Sequence, residues 1–172
     1  GHVQGLSAKA DKPGAYGDNV FMIGTVGEKR RLEGFTLEFE GLPKDAMLVY
    51  KAHVQTYGDI PNKKTSKGKL WKDNNGQIWK KEGAYLGTKG ERKRLEGIEV
   101  KLINKKTGEE YEGYKVQYQV HMQKFGWGID DKENDLVHDG KINVSFTRGA
   151  EKGQFAGTGP KSRRVEAIRI RI

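Results

Sequence analysis

The chain repeats itself, and the repeat limits its fold more than any other property. "RRLEGFTLEF" at 30–39 returns as "KRLEGIEVKL" at 93–102 and as "RRVEAIRIRI" at 163–172. Extended backward, the copies align without a gap as "GTVGEKRRLEGFTLEF" at 24–39, "GTKGERKRLEGIEVKL" at 87–102 and "GTGPKSRRVEAIRIRI" at 157–172. A second phrase precedes each: "GHVQG" at 1–5, "KAHVQT" at 51–56 and "QVHMQK" at 119–124. His2, His53 and His121 therefore correspond, as do Gln4, Gln55 and Gln123. Tyr16 and Trp79 stand equally far ahead of Gly24 and Gly87, so two copies share an aromatic; the third has Gly149 there, with Phe146 close by as a substitute. Units this short cannot bury an apolar face alone and must stack on one another.

Both phrases read as strands. Period-two alternation puts Arg31, Glu33, Phe35, Leu37 and Phe39 on the core side and leaves Leu32, Gly34, Thr36 and Glu38 on the other. In "YKVQYQVHMQ" the core side is Val116, Tyr118, Val120 and Met122, while Gln117, Gln119, His121 and Gln123 face away. The recurring pairs Arg31 and Glu33, Arg94 and Glu96, Arg164 and Glu166 sit at strand starts, near the rim of the core. There they are expected to form charge-assisted hydrogen bonds that close one end of a barrel.

Gly is abundant at 24 residues and Pro scarce at 4, which suits many turns better than long helices. The expected fold is all-β with a pseudo-threefold internal repeat, a β-trefoil, with a β-prism as the alternative. The 172 residues fit a single domain with copies at about 1–40, 41–103 and 110–172. Leu37, Val100 and Ile170 are expected to be related by rotation about a common axis. The first copy opens directly on "HVQ", as in a domain trimmed at its amino end.

The formal charge is +9, with Lys and Arg spread along the chain and alternating with Glu, the pattern of a solvated surface. Anionic wall polymer or nucleic acid is the weakest of the partner classes. Without Cys, neither a disulfide framework nor a thiolate metal site can form. No apolar stretch approaches the roughly 20 residues of a membrane span, so membrane insertion is not expected. No signal peptide opens the chain, so secretion would imply that one had been removed. Each recurring Glu is matched by an Arg, which holds a carboxylate ionised and makes it a poor general acid. No nucleophile elbow or phosphate-binding loop is present either, and the reading is of a protein that is not an enzyme and needs no cofactor.

The phrases resemble the clostridial hydrophobic repeat with a conserved tryptophan, called ChW. The third copy is most similar, with "VHMQKFGWG" at 120–128 and "KGQFAGTGPKSRRVEAIRIRI" at 152–172. The second keeps "AHVQTYG" at 52–58 and "WKKEGAYLGTKGERKRLEGI" at 79–98 but has Asp59 in place of the Trp; the first keeps "HVQGL" and has Ser7 there. The resemblance spans nearly the whole chain apart from insertions near 59–78 and 129–148. It implies an extracellular module of Gram-positive bacteria, chiefly clostridia, acting in adhesion or in binding polysaccharide or protein at the cell surface.

Trp127, Trp79 and Tyr16 are candidate ligand contacts, because an aromatic ring stacks on a sugar while neighbouring polar groups bond its hydroxyls. His53 with Gln55, and His121 with Gln123, lie two apart on one strand face and could line a groove beside the rings. The competing role for Trp127 is packing between repeats, and for His the fixing of a neighbouring turn. Trp71, in "GKLWKDNNGQ", belongs to the second copy alone and reads as serving a local role. The His residues lack the close spacing of a zinc site, and "DDKEND" at 130–135 lacks the order of a calcium loop. The expected partner is carbohydrate or a cell-surface polymer; the alternative is a protein that docks on basic loops.

Overall fold

The computed structural model describes residues 2–3, 7–8, 20–24, 28–39, 41–62, 68–114, 116–124, 126–128, 134–135, 150–151, 155–157 and 163–172. Among them there are strands and turns and no α-helix. The first copy contributes β1 (His2–Val3), β2 (Ser7–Ala8), β3 (Val20–Gly24), β4 (Arg31–Leu32) and β5 (Gly34–Leu37). The second contributes β6 (Ala46–Val54), β7 (Gly58–Ile60), β8 (Leu70–Lys72), β9 (Ile78–Lys81), β10 (Leu86–Gly87) and β11 (Leu95–Asn104). The third contributes β12 (Gln117–Met122), β13 (Gly126–Gly128), β14 (Asn134–Asp135), β15 (Ala150–Glu151), β16 (Ala156–Gly157) and β17 (Val165–Arg171). β8 lies in the insertion near 59–78 and β14 in the one near 129–148.

Within the second and third copies the long strands pair antiparallel, β6 with β11 and β12 with β17. Both ladders slip by one residue at the same point of the phrase, between Leu95 and Gly97 and between Val165 and Ala167. The extra residue is Glu96 or Glu166, and such a bulge exchanges the faces of the strand on either side of it. Here the alternation read from sequence is corrected. Leu32, expected on the outer face, is fully buried together with Phe35, as are Leu95 with Ile98 and Val165 with Ile168.

Short strands tie the copies to one another. β10 of the second copy pairs with β5 of the first, setting Gly87 opposite Gly34. β16 of the third pairs with β11 of the second, setting Gly157 opposite Gly97. β3 of the first pairs with β17 of the third, setting Gly24 opposite Ala167. The three glycines have φ of +127, +150 and +98, and a Cβ on any of them would overlap the backbone of the facing strand at Glu33, Glu96 or Glu166. Glycine is required there twice over, by conformation and by contact.

The aromatic ahead of that glycine finishes the joint. The Tyr85 ring covers Gly34 and the Phe155 ring covers Gly97, each occupying the space a side chain would need. At the third joint the strand carries Ala167, and Met22 stands where the other two have rings. Tyr50 repeats the order, bonding the backbone of Leu37 in the first copy, and its counterpart Tyr118 bonds the backbone of Val100 in the second. Tyr50 also donates its hydroxyl to the Ala84 carbonyl.

One hydrophobic cluster collects residues from all three copies, including Leu37, Val100 and Ile170 with Tyr50, Tyr118, Val120 and Met122. The core side read for "YKVQYQVHMQ" holds. The Arg and Glu pairs form at the rim in two copies, with Arg94 Nε 3.4 Å from Glu96 Oε2 and Arg164 Nη2 3.3 Å from Glu166 Oε2. In the first copy Glu33 Oε2 accepts the N–H of Gly90 from the second, at 3.2 Å.

Candidate functional site

The outer face of the β6–β11 sheet carries the polar residues that the pattern of "HVQ" predicts. His53 and Asp59 are opposite one another on the β6–β7 hairpin, and His53 Nδ1 stands 3.0 Å from Asp59 Oδ1. Asp59 is open to solvent at 76% of its side-chain surface and His53 at 32%. Tyr57, in the turn between them, is 39% exposed. Its hydroxyl donates to Glu91, which pushes the phenol pKa up. Gln55 is used internally, since its Oε1 accepts the Arg94 N–H at 3.3 Å and so fixes the neighbouring turn.

The third copy has the corresponding hairpin, β12 with β13. His121 pairs with Trp127 across β12–β13, as His53 pairs with Asp59, so Asp59 does occupy the position of the Trp. The indole is fully buried. Arg169 lies over it with Cζ 4.6 Å from the ring centroid, and His121 meets it edge-on at 5.3 Å. Arg169 is itself buried and donates its Nε to Gln119 Oε1 at 2.7 Å. His121 Nδ1 stands 3.3 Å from Glu166 Oε1. Burial raises the Glu166 pKa, but His121 and then Arg164 outweigh it and hold the carboxyl below its ordinary range. The expectation of an open aromatic platform at Trp127 is therefore corrected: the ring fills the gap beneath a buried guanidinium. Gln123 is half-buried beside this hairpin and bonds the Arg164 carbonyl through its backbone N–H.

Trp79 is likewise packed rather than displayed. It is buried with Val49 and Ile103 on the outer face of the sheet, and Met47 and Trp71 pack against the group. Lys101 Nζ sits 4.3 Å and Lys51 Nζ 5.3 Å from the ring centroid, so two ammonium groups lie over the indole. Asp73 anchors the other edge. Its Oδ2 accepts the Trp79 Nε1–H at 3.0 Å, and its Oδ1 accepts the N–H groups of Asn75 and Gln77 at 2.9 Å each. Desolvation raises the Asp73 pKa, yet these bonds prevail and lower it.

Tyr16 lies outside the described residues, as do Phe146, Gly149 and the first part of the acidic stretch at 130–135. Among the described residues no group of three His, Asp or Glu side chains could hold a metal ion. Sequence reasoning did not single out Tyr57 or Asp73, although "DNNG" is a turn signal with an Asx cap written into it.

Together the strand pairings define an all-β protein of several antiparallel sheets. Residues 53–104, running from the His53 hairpin to the end of β11, match the family model described as Clostridial hydrophobic W, ChW. The comparisons with curated proteins and with solved structures return no match.

Proposed function

We propose that this chain is a non-catalytic, extracellular binding module that recognises carbohydrate at a bacterial or host cell surface. Its three copies close in a ring about one axis, as in a β-trefoil. The ring is supported by the order of docking: second copy on first, third on second, first on third. Three corresponding steps return to their starting point.

The carbohydrate reading is carried by the second copy's β6–β7 hairpin, where an exposed Tyr57 stands beside the His53 and Asp59 pair. A flat ring offers a face to the C–H groups of a sugar, and the carboxylate accepts hydroxyl hydrogens beside it. Recognition through such contacts depends little on salt, whereas attachment of basic loops to an acidic protein or polymer weakens steeply as salt rises.

A glycan array with the parent and with Tyr57→Ala and Asp59→Ala variants, read at low and physiological salt, tests the proposal. A specific glycan signal that survives salt and is lost in both variants is expected. A parent silent on every glycan, with a salt-sensitive protein partner in its place, would overturn it.

A further inference from the structure

A cleft of about 400 Å³ lies on the far side of the second copy from Tyr57's turn, between the β8–β9 turn and the turn that follows β11. Asp73, Asn74 and Asn75 form one wall, and Glu109 and Glu110 the other, with Lys101 at its base. Both walls are held from within. Asp73 is fixed by its three hydrogen bonds, and Asn104 Oδ1 caps the opposite turn by accepting the N–H of Lys106 at 2.8 Å. The Gly108 N–H closes that turn on the Asn104 carbonyl at 2.8 Å. Asn74 Nδ2 reaches across to Glu109 Oε1 at 3.3 Å.

The cleft combines hydrogen-bond acceptors and donors: carboxylates and amide carbonyls accept hydroxyl hydrogens, and the amide and ammonium groups donate. The half-buried Trp71 ring backs Gly108 from outside the lining, where a Cβ would be 3.9 Å from Cζ2. Local charge runs opposite to that of the whole chain: three carboxylates face one ammonium, in a protein of net +9. Lys101 is already engaged, lying over two indoles and lowering the Asp73 pKa by its charge. Among the described residues that line the cleft carboxylates outnumber the ammonium, so a sugar carboxylate or phosphate entering here would meet mostly like charge.

We propose that this cleft is a second carbohydrate subsite, separate from the Tyr57 hairpin, and that it takes an uncharged pyranose. The volume is of the size that ligand clefts have, about 300 to 1,000 Å³. The proposal rests on the carbohydrate reading above for its class of ligand. It adds a location, and a selectivity against acidic sugars that net charge alone would not suggest.

Backbone amide NMR titrations with cellohexaose, chitohexaose and hexagalacturonate at physiological salt test it. An uncharged hexamer is expected to move the amides of 73–77 and 101–110, and hexagalacturonate to leave them in place. Asn74→Ala combined with Glu109→Ala should weaken the uncharged hexamer about tenfold, as loss of bonds to a charged acceptor implies, with thermal unfolding unaltered. Shifts confined to 53–60 would overturn this subsite and leave the hairpin reading standing. Equal binding of hexagalacturonate at the cleft would overturn the selectivity, and no shift with any hexamer would overturn both readings.

Discussion

Replacing Gly87 by Ala probes the joint between the first two copies, and replacing Gly90 by Ala provides its control three residues away. Both glycines have positive φ, +127 and +69, so an added Cβ is strained at either. They differ in what the Cβ meets. At Gly90 nothing lies within 4 Å. At Gly87 it would stand 3.0 Å from the Glu33 carbonyl carbon and overlap both that carbonyl oxygen and the Gly34 Cα. The obstacle is backbone, which no rotamer change can move aside. A left-handed alanine costs about 1 to 2 kcal/mol, and forcing atoms into a packed contact adds about 1 to 3 kcal/mol. Gly90→Ala is thus expected to cost about 1 kcal/mol and Gly87→Ala about 3. For a domain of this size those losses lower Tm by about 2 to 4 °C and about 6 to 12 °C. Urea unfolding followed by the fluorescence of the buried indoles Trp79 and Trp127 reads both. Equal losses at the two positions would refute the argument, because the joint would then impose no demand of its own.

Trp127→Ala is expected to destabilise by about 3 to 5 kcal/mol, the range for removing a buried aromatic; a loss below about 1 kcal/mol in the same assay would show that the ring is not a packing element. Tyr50 and Tyr118 have hydroxyls whose pKa burial pushes well above the ordinary phenol value of 10.0. The unfolded chain ionises first, so this contribution is complete below pH 10 and fades as pH rises above it. Melting curves from pH 8 upward should show stability falling beyond pH 10, and Tyr50→Phe with Tyr118→Phe should flatten that fall. The Asp73 carboxyl is held below its ordinary value of 3.8, so its support of the β8–β9 hairpin is present above that pH and lost as pH falls through the lowered value. The Trp79 indole N–H resonance should report that titration, and an indole shift centred above pH 3.8 would contradict the Asp73 bond.

The all-β class was legible because each copy repeats the same strand phrases. Alternation in "YKVQYQVHMQ" named the core side of β12, and the Arg and Glu spacing named two rim pairs. The same alternation failed at Leu32, because the strand is interrupted at Glu33, between β4 and β5, and alternation cannot register that. Sequence leaves Trp79 and Trp127 between ligand contact and packing because it does not show what lies over them. Their covers are Lys51, Lys101 and Arg169, which come from other strands. The cleft was hidden for a related reason, since Asp73 and Glu109 are brought together only by the pairing of β9 and β11 on either side of β6.

The central claim is that each copy docks on another in cyclic order, with the first returning to the third. Solution NMR on the isotope-labelled protein tests it through backbone NOEs across the three joints. Contacts of Gly87 with Gly34, Gly157 with Gly97 and Gly24 with Ala167 are all expected. Absence of the Gly24 contact with Ala167, or a contact between Gly24 and Gly34 within the first copy, would contradict the account.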